Sequence, residues 1–266
     1  MRPFFKAITL AVLAATSSTA SQAATVAASA AGGIEATLSF QSVPSGVTID
    51  ISVVEEVNFT DTILFNTVDP LGAPSVSFLN ENPAISINGA SVRVTAASRT
   101  VIDAVPGTGG FAAEQSGAVL QTTFTNTTSM TQSILAVLDV SAGLVTNIAQ
   151  NSGVDTAQAA YTAIWVPASP SGQPVPFLQE NATLLQIPGD PDGVFTANEN
   201  KLSSIALSID PFSSVEYEFV AGAGTFVSAV RTGTQPPLTP VPLPAGAPLL
   251  LAGFGVFALA RRRRNT

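Results

Sequence analysis

The chain has 266 residues, 18 of them acidic and 10 basic, with neither histidine nor cysteine. Six of the basic residues sit at the two ends (Arg2, Lys6 and Arg261 to Arg264), so the body keeps only Arg93, Arg99, Lys201 and Arg231 against all 18 acidic residues, a net charge of −14. That charge excludes DNA and RNA as partners, because nucleic-acid affinity is carried by Lys and Arg at phosphates; the missing residue types exclude a Ser-His-Asp triad, a thiol nucleophile, a disulfide framework and an ordinary zinc site.

In chain order, Arg2 and Lys6 precede an apolar run to Ala15, and small residues follow to Ser21, Gln22 and Ala23. This is the layout of a secretory signal peptide, with cleavage by signal peptidase expected after Ala23. The exported body must then be stabilised by its core alone, and roughly 210 residues suffice for that.

The body reads as short alternating segments broken by Gly, Pro and Asn. In 34–40, Ile34, Ala36, Leu38 and Phe40 share one side while Glu35, Thr37 and Ser39 take the other, the period of a half-buried strand. Further strands are expected at 47–54, 62–66, 76–79, 84–87 and 91–96, with Asn88-Gly89 as a hairpin turn between the last two. Another is expected at 99–105, running into a flexible Gly-rich loop at 106–110. Strands at 118–126 and 134–141 follow, the second read as covered on both faces because Ile134 to Leu138 are apolar without interruption. At 153–161 a short helix competes with a strand.

The four prolines within 166–177 mark a loop and the best internal boundary if there are two domains. Strands at 183–187, 203–209, 215–220 and 224–230 complete the set. Many short strands, few helices and no fixed-period repeat point to an all-β antiparallel sandwich, Ig-like or jelly-roll-like, with one domain over 24–232 favoured over two. Residues 233–240, with three prolines, read as an extended linker.

Only carboxylate chemistry remains for a catalytic site. Glu55 and Glu56 are adjacent on a strand and point to opposite faces. Glu216 and Glu218 share a face at a spacing compatible with glycoside hydrolysis, yet they alternate with Val215, Tyr217 and Phe219, which marks that face as solvated. No catalytic residue is expected, and an enzyme is the last of three readings.

Asp190 and Asp192, in Gly-Asp-Pro-Asp-Gly, offer hard oxygen ligands for calcium, but the spacing lacks the third ligand and distant Glu of an EF-hand loop; a plain turn is favoured, with no cofactor. Asn58, Asn126 and Asn181 begin N-x-S/T triplets. Trp165, with Tyr161 and Phe177 flanking the Pro-rich loop, could stack on a sugar ring, although the apolar run 163–166 favours core packing.

The C-terminus has three parts in order: Val241, Pro242, Leu243, Pro244, Ala245; an uncharged stretch to Ala260; and Arg261, Arg262, Arg263, Arg264. Sixteen helical residues reach about 24 Å, somewhat short of a full hydrocarbon span, and extension back to Val241 approaches the lower limit. The arginines hold their end on the cytoplasmic side, so the body lies outside. The two prolines make the preceding motif stiff and extended, as a membrane protease requires.

This order resembles the PEP-CTERM sorting signal in its VPLPA form, with Leu243 at the position that is acidic in the general pattern. The resemblance covers about a tenth of the chain. It implies an exosortase substrate of a Gram-negative bacterium, held transiently in the inner membrane, cleaved near Pro244 and Ala245, and released to the cell surface or exopolysaccharide matrix. A structural or adhesive, non-enzymatic role follows; a carbohydrate-binding module is the alternative.

Overall fold

The computed structural model describes residues 25–66, 73–149, 154–168 and 177–231. The signal segment with Ala23, the linker, the sorting motif at Val241 to Ala245 and the arginine cluster lie outside them.

Within the described residues the chain forms eleven strands and no helix: β1 (Thr25–Gln41), β2 (Val47–Asn66), β3 (Ser75–Phe78), β4 (Ala84–Ile87), β5 (Ser91–Ala104), β6 (Thr108–Asn126), β7 (Gln132–Ile148), β8 (Thr156–Pro167), β9 (Leu178–Gln186), β10 (Gly193–Ile209) and β11 (Ser214–Arg231). A front sheet runs in the order β10-β7-β1-β5-β3, with β4 also on β5; a back sheet runs β2-β6-β11-β8-β9. Every pairing is antiparallel. The all-β, two-sheet expectation therefore holds, and the segment from 156 that could have been helical is strand.

Strands are longer than their alternation suggests, because small residues continue them. β1 starts at Thr25 and runs through Ala27 to Gly33, pairing with β5 on one side and β7 on the other. A Cβ on Gly32 would lie 3.4 Å from the Ala160 carbonyl oxygen and 3.6 Å from that of Gly224, both in the back sheet. Small residues on facing strands let the two backbones approach there, so poor strand formers are stabilised by close packing.

The 106–110 segment, expected as a loop, is a tight turn followed by strand. Thr108 Oγ1 donates to Val105 O at 2.8 Å and accepts from Val105 N at 3.0 Å, and Gly107 takes φ 85°. Gly109 and Gly110 are then buried in β6, where a Cβ would meet Ala229 O and Ile63 O, each at 2.8 Å. The hairpin at Asn88-Gly89 forms one residue along: Asn88 and Ser91 exchange both backbone bonds, so Gly89 and Ala90 are the turn.

Strand β7 also differs from its reading. It is interior to the sheet, but burial alternates along it: Ile134, Ala136, Leu138 and Val140 are buried while Leu135 is 36% exposed. Its apolar run reports one covered face, not two. The core has two halves: an Ala/Gly-rich part around Ala30, Gly32, Ala221 and Ala223, and an aromatic part made by Phe40, Phe124, Trp165 and Tyr217.

Candidate functional site

The strand directions give the sandwich two distinct ends. β1 begins and β11 finishes at one of them, the terminal end; 18 residues of β11 place the opposite, distal end about 60 Å away. Arg231 ties the terminal end together. Its Nη1 pairs with Asp155 Oδ2 at 2.5 Å, its Nη2 donates to Ala27 O at 3.1 Å, and Asp155 Oδ1 accepts from Val230 N at 2.9 Å. Asp155 is fully buried, so both its oxygens are held by partners that define where β1 and β11 lie.

At the distal end a single side chain, Asn126, organises three loops. Its Nδ2 donates to Met130 O (2.8 Å), Asp210 O (3.0 Å) and Ile209 O (3.1 Å), and its Oδ1 accepts from Thr128 N (2.9 Å) and Thr128 Oγ1 (2.7 Å). Thr127 binds Gly46 O through both its backbone N and its Oγ1, which brings in the 42–46 loop, and Phe212 N donates to Thr128 O. Gly46 is required there: φ is 88° and a Cβ would meet Thr128 Cγ2 at 2.5 Å.

On this frame Phe212 is 73% exposed, Met130 66% and Val43 37%. Phe212 and Ser42 both adopt positive φ, 50° and 57°, a conformation that costs a side chain of order 1 kcal/mol and persists only where surrounding bonds impose it. The result is a hydrogen-bonded tip on which three apolar side chains are exposed among Ser and Thr. Of the three asparagines that begin N-x-S/T triplets, Asn126 is buried, whereas Asn58 and Asn181 are exposed.

A second buried polar group joins the sheets. Glu114, fully buried on β6, accepts from Asn80 N at 2.6 Å with Oε1 and from Arg99 N at 2.7 Å and Leu79 N at 3.1 Å with Oε2. Nearby, Thr100 and Thr225 share a hydroxyl bond of 2.8 Å between sheets. The Glu114 carboxylate accepts from backbone donors of the front sheet and of the loop after β3, an arrangement that fixes structure.

Both acidic pairs singled out in the sequence lie on strands of the back sheet. Glu216 and Glu218 lie on the outward face of β11, opposite Thr123 and Gln121, with inward Tyr217 and Phe219 buried between and beyond them. Glu55 and Glu56 are both exposed on β2, next to a register shift between Val53 and Glu55, and project to opposite sides. Asp190 Oδ2 accepts from Ile187 N at 2.8 Å while Asp190 N donates to Ile187 O, so the carboxylate closes its own turn, and Gln186 Nε2 donates to Pro191 O. No group of three acidic side chains placed to hold a metal occurs among the described residues.

Trp165 is completely buried and stacks on Tyr217 at 4.2 Å between ring centroids, with an interplanar angle of 17°. Tyr161 is buried too; of the three aromatics near the Pro-rich loop only Phe177 is exposed, at 56%. Trp165 therefore cannot stack on a sugar in this fold. No helix among the described residues is long and apolar enough to cross a membrane. Comparisons of the chain with protein-family models, with curated proteins and with solved structures found no match.

Proposed function

We propose that this is an exported, non-enzymatic cell-surface or matrix protein that works by contact through its distal tip. Signal peptidase removes the leader, the C-terminal apolar segment and arginines hold the precursor in the inner membrane, and an exosortase cuts at the Val241 to Ala245 motif. The body, residues 24–232, is a jelly roll of unusual connection: β5-β1-β7-β10 faces β6-β11-β8-β9, with the N-terminal strand in the place of the last one. Fold alone carries no function, so the reading rests on the ends of the molecule.

The observation that supports it is the arrangement of those ends. Arg231, from which the linker departs, is bonded to Ala27 beside the start of the body. A chain tethered at that end presents Met130 and Phe212 outward, on loops that the buried Asn126 holds together. An isolated exposed apolar residue is ordinary; two on a strained, internally bonded loop set fit a contact surface.

The test compares cells carrying the native protein with cells carrying Met130→Ser and Phe212→Ser together. The exposed substitutions leave Tm unchanged, and retention in the matrix falls. Unchanged retention, or hydrolysis of polysaccharides by the purified protein, contradicts the proposal.

A further inference from the structure

We infer that the free edge of β2 is a docking site for an extended, positively charged segment of another polypeptide, which adds to the back sheet as a sixth strand. Among the described residues β2 pairs with β6 alone, so on the other side of its 20 residues, about 65 Å of backbone with a register shift at Val53/Glu55, the N–H and C=O groups of alternate residues have no strand partner among those residues. The other sheet margins differ. β3 and β4 have four residues each and β9 has nine, while β10 carries Lys201 beside Glu199 (3.2 Å), a cation that would repel a basic incoming strand.

On β2, charge and apolar exposure combine in a way that defines the occupant. Phe59 is 53% exposed, Ile63 49%, Val53 43%, Leu64 41% and Phe65 38%. Asp50 precedes them, Glu55, Glu56 and Asp61 stand among them, and β2 has no basic residue. Pairing of two β2 edges would bring eight carboxylates together on bodies already at −14, so a second copy is disfavoured. Glu55, Phe59, Asp61 and Ile63 share one face of β2, so an incoming strand that carries on that face Lys or Arg opposite the carboxylates and β-branched residues opposite Phe59 and Ile63 meets both, while its backbone satisfies the edge. This site is distinct from the distal tip, and neither the sorting signal nor the tip is needed for it.

The probe is a labelled peptide of about ten residues in which one strand face carries lysine and valine in the order that matches Glu55, Phe59, Asp61 and Ile63, with a control in which glutamate replaces lysine. Both are titrated into the full-length protein in mild detergent, and fluorescence anisotropy is read alongside amide hydrogen exchange. The lysine peptide binds saturably and slows exchange within 47–66; the glutamate peptide does not bind. Asp61→Asn weakens binding several-fold by removing attraction, and Ile63→Lys weakens it about tenfold by placing a cation on the edge. Absent or equal binding of the two peptides overturns the inference, as does protection elsewhere than β2. Concentration-dependent self-association that protects β2 without peptide assigns the edge to a second copy, which also overturns it.

Discussion

Arg231 Nη1 lies 2.5 Å from Asp155 Oδ2, and the same guanidinium bonds Ala27 O, so one side chain fastens the last described strand to the first. Asp155 is completely buried and the Arg231 side chain is 13% exposed. Arg231→Met leaves a buried carboxylate without its cation and costs about 3–5 kcal/mol, read as a drop of roughly 10 °C in Tm. Adding Asp155→Asn to that variant recovers part of the loss. Equal stability of the Arg231→Met protein and the native one would refute the clamp.

Glu114 gives a parallel case without a cation. Three backbone N–H groups converge on its carboxylate, and Glu114→Gln presents an N–H₂ group to one set of donors. Chemical denaturation should register a loss of about 2–4 kcal/mol, with the amides of Asn80 and Arg99 exchanging faster than in the native protein. Unchanged exchange at both amides would show that the carboxylate is not what holds that loop.

Asn126 can be probed by a near-isosteric change. In Asn126→Asp a carboxylate faces the carbonyl oxygens of Met130, Ile209 and Asp210, where the native amide donates. The cost is about 3 kcal/mol, and the loops at 42–46, 127–131 and 210–213 lose hydrogen-exchange protection while the aromatic core keeps its own. Uniform loss across the sandwich would mean that Asn126 supports the whole fold and not the tip in particular.

The two tyrosines of the chain report on the core at alkaline pH. Burial pushes the Tyr217 hydroxyl up to about 12; burial, then Glu199 and Glu180, push Tyr161 up to about 12. The unfolded chain releases these protons near the usual value of about 10, so the folded state binds more protons between those limits. Their contribution to stability is complete below about pH 10 and is lost as pH rises through about 12. Tyrosinate absorbance should therefore appear together with loss of β-sheet circular dichroism; a titration near pH 10 with the sheet intact would be inconsistent with buried hydroxyls.

Which parts of this fold could be read from the residues follows from what held each part in place. Val215, Tyr217 and Phe219 alternate with Glu216 and Glu218, and β11 follows that pattern with the tyrosine and phenylalanine inside. Trp165 sits in a nearly continuous apolar run and is core. Thr25 to Gly33, Gly109 and Gly110 carry no such periodicity. They are strands because two backbones come close there, a relation between distant segments that local pattern cannot express. For the same reason β2 was read as two pieces and is one strand with a register shift at Val53/Glu55.

The polar keystones were harder still. Glu114 and Asn126 are ordinary residues in ordinary strands, and their roles depend on loops brought to them by the other sheet and by β10–β11. The one sequence signal at Asn126, the N-x-T triplet completed by Thr127 and Thr128, carries no hint of this role: their side chains bind Gly46 O and the Asn126 amide. The conspicuous acidic pairs lie on solvated faces, as the alternation of Glu216 and Glu218 with Val215, Tyr217 and Phe219 implies, while the buried carboxylates Glu114 and Asp155 stand alone in the sequence with nothing beside them to mark them.

The most direct measurement is the intact mass and C-terminal sequence of the protein recovered from the cell envelope and from the medium, for the native chain and for one carrying Pro242→Ala and Pro244→Ala. The account predicts that the native protein outside the inner membrane lacks Arg261 to Arg264, while the variant keeps them and stays in the membrane. If both retain the arginines, the C-terminus is a permanent anchor, and a surface-released role is contradicted.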